Sequence, residues 1–97
     1  MVTETVYRPA MDVVVRRVGE ESVVVPIRNR VGDLDSIFTL NEVASRVWEL
    51  LDGARPLDAI VETICEEFEV TSDVARSDVQ ELLDALQQVH LIEAVRE

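Results

Sequence analysis

The stretch from Thr39 to Gly53, TLNEVASRVWELLDG, constrains the fold more than any other part of the chain. Thr39 followed three residues later by Glu42 has the form of a capping box, in which each side chain accepts a hydrogen bond from a backbone N–H near the other. Gly53 supplies a stop. Between these ends Leu40, Val43, Ala44, Val47, Trp48, Leu50 and Leu51 recur three and four apart, the spacing of one broad helix face that has to be covered. The face carries the only tryptophan among 97 residues. In so small a chain a tryptophan on an apolar stripe belongs at the centre of the core.

Upstream of that helix the pattern changes from helical spacing to blocks of valine. Met11 to Val18 and Ser22 to Ile27 are both rich in valine, which suits the pleated surface of a strand better than a helix. Gly19-Glu20-Glu21 between them has the length and glycine content of a hairpin loop. Pro26 offers no N–H to a ladder, which places it near the end of the second strand or on a free edge. After the polar turn formers of Arg28 to Asp33, the short run Leu34-Asp35-Ser36-Ile37-Phe38 reads as a third strand. Its brevity and its two polar residues suit an edge. Met1 to Ala10 shows no sustained period and reads as a loosely held arm.

Downstream of Gly53, Pro56 stands where a helix begins, since the first helical residue needs no N–H donor. Leu57, Ile60, Val61, Ile64, Cys65 and Phe68 form the apolar stripe of a second helix, with Asp58, Glu62, Glu66, Glu67 and Glu69 facing outward as solvated charge. Caps among Val70 to Asp73 and the series Val74, Ala75, Val79, Leu82, Leu83, Leu86 and Val89 define a third, longer helix. Leu91-Ile92 then tucks back under the helices before the terminus. The resulting expectation is an α+β fold like a winged helix-turn-helix, with a three-stranded antiparallel sheet followed by a three-helix bundle. Residues 1–97 form one domain, with 1–10 as a flexible arm.

The chemistry available is narrow. One histidine and one cysteine cannot assemble a zinc site, and no glycine-rich phosphate loop occurs among three scattered glycines. His90 sits at a helix end with no nucleophile beside it, and the carboxylates are spread along outward faces rather than paired in a cleft. The residues therefore argue against an enzyme and supply no metal or cofactor site. Net charge is −11, and residues 39–97 hold fourteen of the twenty acids but only four of the nine arginines. The third helix sets Asp73, Asp78, Glu81 and Asp84 against Arg76, which opposes the usual winged-helix task of meeting DNA phosphates. No apolar run spans a bilayer, no signal peptide opens the chain, and a lone cysteine suits a reducing compartment, so the expected location is cytoplasmic with no membrane partner.

With these residues placed, the chain resembles the PqqD family, the small peptide chaperones of pyrroloquinoline quinone synthesis. It also resembles the wider group of recognition elements for ribosomally synthesised and post-translationally modified peptides (RiPPs). The matching marks are Leu40-Asn41 opening the first helix, Trp48, Leu51-Asp52-Gly53 closing it, and Ile60 and Phe68 on the second. Asp78-Val79, Leu82-Leu83 and Leu86 on the third and the Leu91-Ile92 pair complete them. Two positions depart from the pattern: His90 stands where the family usually has glycine, and Pro56 where a threonine-like cap is common. The resemblance implies a non-catalytic adaptor that holds the leader segment of a precursor peptide and presents it to a modifying enzyme, commonly a radical SAM enzyme. In the family the leader adds as a strand to the third strand, against the third helix. The matching positions here are Leu34, Asp35, Ser36, Ile37 and Phe38 on the strand, with Arg76, Val79, Gln80, Leu83 and Gln87 on the helix. If acidic leader side chains meet Arg76, charge reversal there should weaken binding in a salt-dependent way. Two other readings stay open at the level of sequence: an acidic winged-helix module that binds another protein without a leader peptide, and a DNA-binding repressor.

Overall fold

The computed structural model describes residues 5–28, 31–32 and 37–95. Among these residues, six strands and three helices run in the order β1 (Val6–Pro9), β2 (Val13–Val18), β3 (Glu21–Arg28), β4 (Val31–Gly32), β5 (Phe38–Leu40), α1 (Glu42–Leu50), α2 (Leu57–Phe68), α3 (Ser72–Gln88) and β6 (Ile92–Val95). The valine blocks form the expected hairpin, with Val13 opposite Pro26 and Val18 opposite Glu21. Gly19 turns the chain at φ +63°, a conformation that glycine adopts without steric cost.

β3 is the spine of the sheet. β2 pairs along one side of it, while β4 and β5 share the other: β4 meets Ile27 and Arg28, and β5 meets Ser22 to Val24. Pro26 falls between those two pairings, where a residue without an N–H interrupts the ladder least. The antiparallel sheet followed by three helices is the fold expected from the sequence. Alternation along β3 buries Ser22, Val24 and Pro26 against the helices and leaves Ile27 on the open face.

Two local readings are corrected. Thr39 does not cap the first helix, because Thr39 and Leu40 extend the strand and pair with Val23 and Ser22. Leu40 is fully buried there, and the turn to helix is made one residue later by Asn41, whose side-chain oxygen accepts from the Ala44 N–H at 2.8 Å. Asparagine is the stronger cap of the two, so the pairing of Leu40 and the capping of α1 are satisfied together. Similarly, Pro56 is not the first residue of α2 but its N-cap, in extended conformation at ψ 165°.

The arm is also more ordered than its composition suggests. Val6 to Pro9 pairs antiparallel with β6, and Arg8 and Glu93, opposite each other in that register, form an ion pair at 2.8 Å. The Gly53 N–H donates to the Tyr7 carbonyl at 2.9 Å, so β1 is held between the α1–α2 connection and the C-terminal strand.

One core fills the space between sheet and helices. Val24 and Leu40 come from the sheet, Val47 and Trp48 from α1, Ile60 and Ile64 from α2, Val79, Leu83 and Leu86 from α3, and Leu91 and Ile92 from the C-terminal segment. Among the described residues no buried side-chain polar atom lacks a partner. Arg46 forks onto Glu67 with bonds of 2.8 and 2.9 Å, clipping α1 to α2, and that pairing holds the Glu67 carboxyl below its ordinary pKa.

Both long helices end on a left-handed residue. α3 closes with His90 at φ +63°, the Leu91 N–H donating to the Leu86 carbonyl and the His90 N–H to that of Gln87, the double bond of a Schellman motif. The family's usual glycine at this position is explained by that angle. α2 ends on Glu69 at φ +53°, where a side chain is strained and a negative charge faces the negative end of the helix dipole. Glu69→Gly is therefore expected to raise the unfolding free energy by about 1 kcal/mol, after the added flexibility of the unfolded chain is deducted. Denaturant titration measures it, and a loss of stability would show that the Glu69 side chain makes a compensating contact.

Candidate functional site

The hydrogen-bonding directions of β5 follow from one bond on the far side of β3. Ile27 donates its N–H to the Asp12 carbonyl at 2.7 Å, next to the register pair Val13–Pro26. Val13 and Pro26 are therefore a non-hydrogen-bonded pair, and the alternation of an antiparallel ladder turns the N–H and C=O of residues 21, 23 and 25 toward β2. Ser22 and Val24 turn theirs the other way, toward their β5 partners Leu40 and Phe38. Phe38 and Leu40 are thus tied to β3, and the N–H and C=O of Thr39 point away from the sheet. Carried one residue back, the same alternation turns the Ile37 N–H outward. Among the described residues no strand covers this edge.

Beside the edge lies a cleft of about 490 Å³. Phe38 of β5, Asn41 at the cap, and Val43, Ala44 and Val47 of α1 form one wall. Ile64 and Phe68 of α2 and Val70 after it close one end, and α3 supplies the opposite wall through Ala75, Asp78, Val79, Glu81, Leu82 and Ala85. Of the ten described apolar residues that the core covers only in part, Phe38, Val43, Ala44, Phe68 and Leu82 line this cleft, and Tyr7, Val13, Leu57, Cys65 and Val89 lie elsewhere. Half of the partly covered apolar residues are thus gathered in one cleft.

Of the residues that the family resemblance singled out, Phe38 and Val79 line the cleft and Ile37 adjoins it on the open edge. Leu34, Asp35 and Ser36 lie outside the described residues. The remaining four are not brought to the cleft. Leu83 is in the core at 1% exposure, and Gln80 donates to Asp84 on its own helix at 3.0 Å. Arg76 forms an ion pair with Asp58 at the start of α2, and Gln87 is exposed beyond the lining residues. The stripe Arg76, Gln80, Leu83, Gln87 lies two positions from the lining stripe Asp78, Leu82, Ala85, and two positions are about 200° around a helix. Asp78, Glu81, Leu82 and Ala85 on α3 and Val43, Ala44 and Phe68 on the facing helices line the cleft without having been singled out from the sequence. Periodicity marks them as apolar or solvated but does not distinguish a half-covered position from a fully covered one.

The described residues include no group of three or more His, Cys, Asp or Glu side chains able to hold a metal ion, and no helix long and apolar enough to cross a membrane. Cys65 is a half-buried free thiol packed against the core.

A small antiparallel sheet with three helices packed on one face, an open strand edge and a half-covered apolar cleft beside it is the architecture of a RiPP recognition element. The chain belongs to the PqqD family: the family described as coenzyme PQQ synthesis protein D (PqqD) matches residues 21–92. Among solved structures the chain is similar to TbiB1 in complex with the TbiA(beta) leader peptide, with a TM-score of 0.75 and 27% sequence identity over 93% of this chain and 99% of that one. No curated protein sequence matches the chain.

Proposed function

We propose that the chain is a non-catalytic adaptor. It receives the leader segment of a ribosomally synthesised precursor peptide as an added strand on the open edge of β5 and presents that peptide to a modifying enzyme. The observation that carries the reading is the outward-facing backbone of Thr39 beside the cleft, together with the likeness to a protein solved with a leader peptide bound. Main-chain hydrogen bonds to an edge strand supply affinity without demanding a particular sequence, and side chains of alternate residues entering the cleft supply selectivity. A radical SAM enzyme is the partner type that the family resemblance implies, and the cytoplasm, where ribosomal peptides are made, is the compartment in which the adaptor acts.

The test is calorimetric titration with the leader segment of a precursor peptide encoded beside this chain's gene, run in parallel with a DNA duplex. Binding of the leader at about micromolar Kd, with the negative heat-capacity change of apolar burial, is the expected result. No heat with the leader, or salt-sensitive binding of the duplex at comparable affinity, overturns the proposal. The second outcome is not expected, because α3 sets Asp73, Asp78, Glu81 and Asp84 against the single cation Arg76, itself paired with Asp58.

A further inference from the structure

The chemistry of the cleft specifies more about its peptide than that it is extended. A strand added to β5 shows alternate side chains to the same face of the sheet as Phe38 and Leu40, the face that the helices cover. Those side chains enter a space walled by Phe38, Val43, Phe68 and Leu82. On the α3 wall the apolar residues are interleaved with two carboxylates, Asp78 and Glu81, both exposed.

These acids differ from several others on the helices. Glu49 and Glu67 bind Arg46, Asp58 binds Arg76, and Asp84 accepts from Gln80. Asp78 and Glu81 have no hydrogen-bond or ion-pair partner among the described residues, and no arginine or lysine lines the cleft. Two negative charges that no described residue compensates therefore stand beside an apolar trough. An acidic side chain brought there meets like charge, whereas lysine or arginine lays its methylene stem on the apolar wall and its cationic head on the carboxylates. Arg76, the α3 cation that an acidic leader side chain would need, is paired with Asp58 of α2 and does not line the cleft.

Resting on the reading of the cleft as a peptide-strand site, we propose that Asp78 and Glu81 are its specificity-determining residues. They select an extended peptide with an apolar pair at i and i+2 and a lysine or arginine beside that pair on the same face.

A library of random linear peptides displayed on phage and selected against the full chain tests this, with the Asp78→Lys/Glu81→Lys double variant selected in parallel. Both positions are exposed, so the variant is expected to keep the wild-type helical circular dichroism. Wild type should enrich basic residues beside an apolar pair, and the double variant should enrich acidic ones in the same place. Resynthesised wild-type peptides should lose roughly five- to tenfold in affinity when the basic residue becomes glutamate, with less loss at high salt. Peptides from wild type that need an intact β5 edge, failing against Thr39→Pro, yet show no basic preference would overturn the specificity proposal and leave the strand-addition reading standing. So would the same consensus from wild type and the double variant. Peptides that bind Thr39→Pro unchanged, or the absence of any binder, would overturn the strand-addition reading and the specificity with it.

Discussion

Trp48→Ala is expected to lower the unfolding free energy by about 3–5 kcal/mol, the range for truncating a large aromatic side chain in a core. Trp48 is 9% exposed and stands in a cluster fed by all three helices and the sheet, so the space it leaves cannot be closed by shifting one neighbour. Domains of this size hold about 5–15 kcal/mol in total, and one substitution removes a large share of it. The effect extends to the cleft, because Val47, the neighbouring residue on α1, belongs to the core and to the cleft wall alike. Urea titration followed by circular dichroism measures the loss. A change under about 1 kcal/mol would show that the indole is not central and that α1 is held mainly by its Arg46 clip to Glu67.

How much of this was legible depends on how far each residue's partner lies along the chain. The β2–β3 hairpin and the bodies of α2 and α3 are written locally, in valine blocks, a glycine at positive φ and apolar stripes whose buried members are Ile60, Val61, Ile64, Ala75, Val79, Leu83 and Leu86. β1 was missed because its partner Ile92–Val95 lies at the opposite end of the chain, and local periodicity is blind to such a pairing. The start of α1 was misplaced for a related reason. Thr39 and Leu40 are acceptable in either conformation, and the register of β3, not their own propensity, holds them in a strand.

The candidate site shows the same division. That an edge strand precedes α1 was readable from the run Leu34 to Phe38, but β5 begins only at Phe38 and runs on to Leu40. Which side of α3 faces it was not readable, because Val79 and Leu83 look equivalent in sequence and are equally buried in the core, yet only Val79 lines the cleft. Arg76 looked available until its partner Asp58 was placed across from it on α2. Ion-pair partners on different helices cannot be read from either helix alone.

The strongest expected effect on function is that of Thr39→Pro. Thr39 pairs with Val23 in a non-hydrogen-bonded position, so its N–H makes no bond within the sheet and is free to donate to an added strand. Its side chain is exposed, so removing it opens no cavity. Proline at this position eliminates the donor, leaves a carbonyl of the peptide unpaired and puts a ring in its path, which together correspond to roughly 1.5–3 kcal/mol, or a ten- to hundredfold rise in Kd. Ile37→Pro, removing the next outward donor, is expected to act the same way with the core equally intact. Val15→Pro is the control. By the same alternation Val15 also turns its N–H outward, but from β2, on the opposite edge of the sheet and away from the cleft, so peptide affinity should be unchanged. Circular dichroism confirms that each variant is folded, and calorimetry with the leader peptide reads the affinity. If folded Thr39→Pro and Ile37→Pro bind as the wild type does while Val15→Pro does not, the added strand docks on β2, and the cleft beside β5 is not the site that receives it.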